Sequence, residues 1–284
     1  MPITCRTAPS LGGDFAGTPE KVWGTKQYDP TLDDLNPCVF FGLYGLPDFY
    51  ALSRHKGYKH LLWAGSDIQH FVNGYWLNGN EYGPKLPPEP LAEWLELNCD
   101  MWVENENERK DLESVGVHAQ VCPSFLGDVN DYQVCFTPNT RPKVYASVSG
   151  DNFQLYGWDI IEKIADKCDV DFYLYGSANW QTKHSNVFIQ GRVPQEQMDV
   201  EIKGMQCGLR LNDKDGFSEV LAKSILWGQY PITWEHFGYP HIDSFSDKRS
   251  LIKQLNMLKY KTEPNYIARD YYIKKLNNYP WNLK

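Results

Sequence analysis

Short apolar runs of strand length alternate with segments of helical period along most of this chain. The runs are bounded by Gly, Pro, Asn and Asp, residues that end strands and form turns. The helical segments carry apolar residues three and four positions apart. The predicted strands are 37–42, 60–63, 99–103, 119–122, 143–148, 170–175, 186–190 and 207–211; the predicted helices are 46–57, 91–97, 104–115, 156–166, 217–227 and one opening at 194–198. This alternation predicts an α/β protein with parallel sheets.

The alternation occurs in two series, which predicts two domains. No clear periodicity is visible before residue 37, and a stretch with three prolines separates the series. The tail from 248 to 278 has the pattern of one or two helices. The predicted divisions are an irregular arm at 1–36, a short first domain of about four strands at 37–122, a linker at 123–142, a second domain at 143–245 and C-terminal helices at 246–284, which we expect to cross back to the first domain.

The segment 207–234 carries the most information about function. Its pattern is strand, acidic glycine-containing turn, helix, turn and strand, with the helix predicted to end at Gly228. In open α/β sheets ligands bind where strands end, and a helix N-terminus there offers free backbone N–H groups to a phosphate. The segment therefore predicts a ligand site at the turn 212–216.

Composition indicates an ordinary globular protein and narrows its chemistry. Of 284 residues, 42% are hydrophobic and 23% charged, with a net charge of −8. From residue 246 onward nine Lys or Arg face three Asp or Glu. This basic tail has two interpretations, a solvated helical face or contact with anionic lipid or nucleic acid. No apolar run approaches the length of a membrane span, and no leader segment is visible.

The seven cysteines and the missing motifs exclude several function classes. The cysteines are odd in number and widely separated, which indicates free thiols in a reducing compartment, so we expect a cytoplasmic protein. His and Cys show no metal-ligand spacing, and we expect neither a metal nor a cofactor. The glycine motifs of dehydrogenases and kinases and the nucleophile elbow of hydrolases are absent from the sequence.

The turn at Asp215, Gly216, Phe217 and Ser218 resembles the nucleotide-sugar site of retaining GT-B glycosyltransferases. In that family a glutamate follows eight positions after the first acid, where this chain has Lys223. Further segments resemble the family in order, namely 60–68, 102–116, 119–123, 145–150, 172–176, 187–194 and 226–232. The resemblance implies two Rossmann-like domains with a cleft between them, the first acceptor-side and the second nucleotide-sugar-binding.

The resemblance also implies how a nucleotide-sugar donor is held without a metal. Asp215 would accept hydrogen bonds from the donor sugar, and its alternative role is the N-cap of the following helix. Glu219 would contact the donor or complete a capping box, and Lys223 would meet a phosphate or pair with Glu219. The donor-binding candidates are Gly150, Arg192, Arg210, Gly216, Phe217, Ser218, Glu219 and Lys223.

In the first domain, Asp67 and His70 are candidates for a general base, and their alternatives are a helix cap and a helix-surface residue. The function implied by the resemblance is a hexosyl- or pentosyltransferase of the retaining type, with a UDP-sugar favoured as donor. The acceptor stays open between a glycan, a lipid-linked sugar and a modified DNA base. Two alternatives are a DNA-modifying glycosyltransferase acting on a hydroxymethylated base and an inactive nucleotide-sugar-binding protein.

Overall fold

The computed structural model of the chain describes residues 3–11, 18–77 and 82–283. They form two compact units, each with its own parallel sheet. The first unit comprises Met1–Asp128, Lys214–Gly216 and Lys275–Lys284, and the second comprises Val129–Asp213 and Phe217–Lys274. The predicted α/β class is thereby confirmed.

The first unit is built on a six-stranded sheet whose strand pairs are all parallel. The strands are β1 (Thr4–Thr7), β2 (Lys26–Gln27), β3 (Cys38–Phe41), β4 (Lys59–Leu62), β5 (Asp100–Val103) and β6 (Gln120–Val121), in the order β2-β1-β3-β4-β5-β6. The central β3 is buried along its whole length. Such continuous apolar burial is typical of a parallel strand covered on both faces.

Five helices accompany this sheet in the described residues. They are α1 (Thr18–Trp23), α2 (Leu46–Arg54), α3 (Ser66–Val72), α4 (Glu89–Asn98) and α5 (Glu106–Glu113). Leu52, Phe71 and Leu95 from three of them pack with Phe40 and Trp63 in one hydrophobic core. Helices α2 and α3 are therefore anchored to the sheet through this core.

The prediction of an irregular arm at 1–36 was wrong for much of its length. Residues 12–17 of that arm lie outside the described residues, but β1, α1 and β2 all fall within it. Strand β1 pairs with β2 on one side and β3 on the other. Its sequence Thr-Cys-Arg-Thr is too short and too polar to show a period, so two-sided pairing in the sheet determines its structure. Within the described ranges the first unit thus has six strands rather than four.

The second unit has a four-stranded parallel sheet in the order β10-β7-β8-β9. A bridge between Leu209 and Ile232 leads on to the parallel pair β11 and β12. The strands are β7 (Lys143–Ser147), β8 (Asp171–Tyr175), β9 (Val187–Gly191), β10 (Cys207–Gly208), β11 (Ile232–Trp234) and β12 (Asp243–Phe245). The helices are α6 (Trp158–Ile164), α7 (Gln195–Ile202), α8 (Glu219–Leu226), α9 (Lys248–Met257) and α10 (Tyr266–Leu276).

The segment 207–234 has the predicted order of elements with shorter bounds. Helix α8 begins at Glu219, two residues later than predicted, because Ser218 is its N-cap and accepts a hydrogen bond from the backbone N–H of Leu221. Its end follows the prediction: Gly228 has a positive φ and its N–H donates to the carbonyl of Ile225. The acidic turn is therefore separate from the helix.

Aromatic residues near position 280 complete the core of the first unit. Tyr279 and Trp281 stack with their ring centroids 4.9 Å apart, and Trp23 lies 5.2 Å from Trp281. The Tyr279 hydroxyl accepts a hydrogen bond from the backbone N–H of Phe125. Both Tyr279 and Trp281 are buried. Across the described ranges, none of the helices combines the length and the apolarity needed to cross a bilayer.

Candidate functional site: a cavity in the second unit

A cavity of about 640 Å³ opens at the carboxyl ends of β7, β8 and β9 in the second unit. This is the edge of a parallel sheet where ligands bind, and the volume is in the range of small-molecule sites. Its lining combines apolar side chains with charged groups of α7 and α8. The lining residues are Ser147, Val148, Tyr175, Gly176, Arg192, Val193, Pro194, Gln195, Met198, Asp199, Ile202, Glu219, Val220 and Lys223.

The loop after β7 borders this strand edge and is fixed by Asp151. Its carboxylate accepts hydrogen bonds from the Ser177 hydroxyl at 2.6 Å and the Asn179 amide at 2.8 Å. These hydrogen bonds lower the pKa of Asp151, and the one from Ser177 has the largest effect. Gly150 precedes it with φ +59°, a conformation that side chains rarely adopt. The backbone at Gly150, one of the donor-binding candidates, is thus held in an exposed turn.

Lys223 is buried in the wall of the cavity instead of lying on the surface. Its ammonium nitrogen lies 3.0 and 3.1 Å from the two carboxylate oxygens of Asp199 and 3.4 Å from an oxygen of Glu219. The Lys223 side chain is 7% exposed, against 30% for Asp199 and 60% for Glu219. One buried positive charge is therefore matched by two carboxylates, and the predicted pairing of Lys223 with Glu219 is present.

Arg192 and Gln195 lie where β9 passes into α7. The Arg192 side chain is exposed and lines the cavity, with no hydrogen bond or ion pair to other described residues. The Gln195 amide donates a hydrogen bond of 2.9 Å to Asp199 Oδ1, the carboxylate oxygen that lies 3.0 Å from the Lys223 ammonium. Arg192 thus offers a guanidinium to a ligand, whereas Gln195 helps to orient a carboxylate.

Two further donor-binding candidates of the second unit lie among aromatic rings. The guanidinium of Arg210 lies 4.8 Å from the ring centroid of Tyr156, a cation–π distance. Phe217 is buried and stacks on Tyr272 with centroids 5.1 Å apart, while Tyr239 meets its edge. The Phe217 side chain is therefore part of a core cluster, so only its backbone can meet a ligand.

Asp215 and Gly216 make their described contacts within the first unit. The carbonyl oxygen of Asp215 accepts a hydrogen bond of 2.8 Å from the Asn105 amide, and Lys214 donates one of 2.8 Å to Gln69. A Cβ added at Gly216 would lie 1.9 Å from a carboxylate oxygen of Glu104. Only glycine fits there without displacement. The N-cap alternative for Asp215 was wrong, because Ser218 caps α8.

Asp67 is enclosed at the start of α3. Its carboxylate accepts hydrogen bonds from the backbone N–H groups of Leu43, Ala64 and Ile68 at 2.8 to 3.0 Å. Burial nonetheless raises its pKa to about 6. Asp67 is not the N-cap of α3, which is Gly65, but its carboxylate is occupied by backbone donors and shielded from solvent.

His70 lines a separate cavity of about 450 Å³ within the first unit. Asp48 and Tyr44 share that lining, and the rings of Tyr44 and His70 meet edge to face at 6.2 Å. Nδ1 of His70 is buried without a hydrogen-bond partner among the residues described. Of the two general-base candidates, His70 is the one that lines this cavity, although its Nδ1 is buried.

The structure adds Glu108, a buried acid that the sequence did not single out. One of its carboxylate oxygens accepts the backbone N–H of Glu104 at 2.8 Å, and the other has no partner within the described ranges. Burial first, and then the charge of Glu104, raise the pKa of Glu108 well above its ordinary value. The charges of Asp67 and Asp215 act in the same direction. A polar helix gave no signal for this, because acids on such a helix are usually solvated.

In the part of the chain that the structure describes, no group of three His, Cys, Asp or Glu is arranged to hold a metal ion. No protein-family model matches the sequence, and no curated protein matches it. The comparison with other proteins therefore rests on three-dimensional structure.

Several solved glycosyltransferases share this fold. The lipopolysaccharide outer core galactosyltransferase WaaB superposes with a TM-score of 0.60 at 11% identity, over 99% of this chain and 97% of WaaB. A UDP-forming trehalose-phosphate synthase from Burkholderia xenovorans gives 0.56 at 10% identity, over 94% and 82%. TarM from S. aureus, in a complex that contains UDP, gives 0.54 at 12% identity, over 85% and 52%.

This chain thus spans about half the length of TarM, and nearly all of WaaB. The neighbours are GT-B glycosyltransferases, and the chain has the GT-B fold that the resemblance of its sequence implies. At these identities the likeness establishes the fold, while the chemistry has to be argued from the residues of this chain.

Proposed function

We propose that this chain is a glycosyltransferase that takes its sugar from a nucleoside diphosphate sugar, with UDP-sugars favoured. The 640 Å³ cavity at the strand edge of the second unit is the observation that carries this proposal. Its apolar side chains suit a nucleobase, and its charged groups suit a ribose. Neighbours of the same fold include two whose descriptions name UDP, TarM with bound UDP and the UDP-forming synthase.

The transfer exchanges one bond at the anomeric carbon of the sugar. The bond from that carbon to the diphosphate oxygen breaks, and a bond to an acceptor hydroxyl forms. The acceptor proton leaves with the diphosphate in a retaining enzyme, or passes to a protein base in an inverting one. We propose the retaining course, in which Asp215 orients the donor sugar. The diphosphate charge would be met by the backbone turn at Gly150 and by Arg210.

His70 belongs to the acceptor side of this proposal. It lines a cavity with Asp48 in the first unit, and its buried Nδ1 is not engaged by another described residue. A rotation of the side chain would bring that buried nitrogen to an acceptor hydroxyl, which could then donate a hydrogen bond to it if the neutral ring carries its proton on Nε2. Asp67 is assigned no chemical role, because its carboxylate is occupied by three backbone N–H groups.

Binding is tested first, by thermal unfolding with UDP, GDP, ADP and TDP at millimolar concentration. A ligand present at a hundred times its dissociation constant stabilises the folded state by about 2.7 kcal/mol, so the melting temperature should rise by several degrees. UDP should give the largest shift and uridine a smaller one. Unchanged melting with all four diphosphates would refute the donor site.

Turnover is tested second, because Lys223 in place of the family's carboxylate favours one rival. That rival is a protein that binds a nucleotide sugar without transferring it. Release of UDP from UDP-glucose, UDP-galactose and UDP-N-acetylglucosamine is measured with glycan, lipid-linked sugar and hydroxymethylated DNA acceptors. Nucleotide binding without release in any combination would favour the binding protein over the enzyme.

A further inference from the structure

The two carboxylates beside Lys223 differ in how they meet its ammonium. Both oxygens of Asp199 lie within 3.1 Å of that nitrogen, whereas only one oxygen of Glu219 comes near it, at 3.4 Å. Glu219 is also twice as exposed as Asp199. Asp199 is therefore held in one orientation, and Glu219 is held weakly at the solvent side of the cavity.

The hydrogen-bonding capacity of this group shows what is left for a ligand. An ammonium has three donors, and two of them meet the oxygens of Asp199, while Glu219 lies at an ion-pair distance of 3.4 Å from the same nitrogen. The positive charge of Lys223 is therefore already matched by carboxylates. Among the described residues, Asp199 Oδ1 accepts from Lys223 and Gln195, but Oδ2 accepts from Lys223 alone. The open acceptor positions therefore belong to a carboxylate, and they suit a ligand with O–H donors.

We infer that Asp199, oriented by the buried Lys223, is the residue that binds the vicinal diol of the ribose. The inference rests on the proposed function, because the ligand it requires is a ribonucleotide. Two neighbouring hydroxyls present two donors to one ionised carboxylate, which can accept both. The ligand contact thus comes from Asp199 on α7, whereas Glu219 and Lys223 lie on α8. Lys223 supplies the charge that orients Asp199 and makes no contact with the ribose itself.

The test compares each ribonucleotide with its 2′-deoxy analogue. Dissociation constants of UDP and 2′-deoxy-UDP, GDP and 2′-deoxy-GDP, and ADP and 2′-deoxy-ADP are measured by calorimetry. A hydrogen bond to a charged group corresponds to a preference of about tenfold or more for the ribonucleotide. Asp199→Asn should bring that ratio close to one, since an amide accepts through one oxygen only.

Two further variants make the result specific to Asp199. Glu219→Gln should keep the preference for ribose, which a role of Glu219 in diol binding would abolish. Glu196→Gln, on an exposed position of the same helix α7, serves as the matched control and should keep both the affinity and the preference. Should Asp199→Asn alone fail to fold, Asp199→Asn with Lys223→Met removes the unpaired buried charge and answers the same question.

The outcomes separate this inference from the proposed function. A ribose preference that persists in Asp199→Asn, or none in the unmodified protein that binds UDP, overturns the inference and leaves the donor site standing. Failure of all three ribonucleotides to bind overturns both. Loss of the preference in Asp199→Asn, with the preference kept in Glu219→Gln and Glu196→Gln, supports it.

Discussion

Two groups of acids, one in each unit, are held in opposite ways. In the second unit Asp199 faces a buried ammonium, and the pair is stabilised as two charges. In the first unit Asp67 and Glu108 are more deeply buried, and no Lys, Arg or His of the described ranges forms an ion pair with either. Their pKa values are raised instead. A paired carboxylate stays ready to bind a ligand, whereas an unpaired one couples folding to pH.

The largest expected effect concerns Asp215, whose charge adds to the acidic group of the first unit. Asp215→Asn should lower turnover about a hundredfold, as the loss of one oriented polar contact does in other active sites. Stability should change much less than turnover, because asparagine keeps the size of the side chain and the backbone carbonyl that accepts from Asn105. Initial rates and denaturant unfolding are measured side by side. Asp213→Asn, exposed in the same turn, is the control, and equal rates in both variants would remove Asp215 from the mechanism.

The second prediction concerns pH and would break the comparison if it failed. Asp67 has a folded pKa of about 6 against about 3.9 in an unfolded chain. Below pH 4 both states are protonated and the stability is fully present; it is lost as pH rises through 6, because the unfolded state then ionises more readily. The loss is about 3 kcal/mol at most.

Urea unfolding between pH 4 and pH 8 measures this dependence. Asp67→Asn should flatten the pH profile although it lowers stability overall, since an amide leaves one backbone N–H without an acceptor. Glu108→Gln should change stability little at pH 4 and raise it by about 1 kcal/mol or more at pH 8. An unchanged profile in both variants would mean that these acids are not buried as described.

The third prediction sharpens the account of the second unit. Lys223→Met keeps most of the apolar stem and leaves Asp199 and Glu219 facing each other without a cation. We expect a loss of about 1–2 kcal/mol in the free energy of unfolding, less than for a fully buried pair because both acids are partly exposed. UDP affinity should fall as well. Lys203→Met, at an exposed lysine after α7, should change neither, and an equal loss there would point to charge in general.

The smallest effect is expected at an exposed pair of the same unit. Lys163 and Asp159 face each other across one turn of α6 at 2.5 Å. Lys163→Ala should change the free energy of unfolding by no more than about 0.5 kcal/mol, because solvent screens the pair. If Lys163→Ala lowered the free energy of unfolding as much as Lys223→Met does, burial would not explain the different contributions of these two lysines to stability.

The fold could be predicted where strands are apolar and helices amphipathic. The apolar runs of strands β3 and β7 are visible in the sequence, and the acidic turn before α8 resembles that of the GT-B family. Strand β1 gave no signal, because its position between β2 and β3 depends on pairing with residues more than 20 positions away. Polar residues within a sheet are stabilised by such pairing, which no local period records.

The sequence predicted some of the residues that line the cavity, but not which of them contact each other. The spacing from Asp215 identified Lys223 as the unusual residue, and Arg192, Glu219 and Lys223 do line one cavity. That Asp199 faces Lys223 could not be predicted, because the packing of α7 against α8 brings together residues 24 positions apart. The sequence could not decide whether Asp67 is a general base either, because only the structure shows the backbone N–H groups that occupy its carboxylate.

The stacked pair Tyr279 and Trp281 has a consequence for how the protein is made. Both belong to the unit whose strands are translated first, where they pack against Trp23 and Phe125. We therefore expect the core of that unit to stay incomplete during synthesis until residue 281 has emerged from the ribosome. The second unit, encoded in between, can close earlier. Domains usually fold in the order of their synthesis, but here the unit that is started first is finished last.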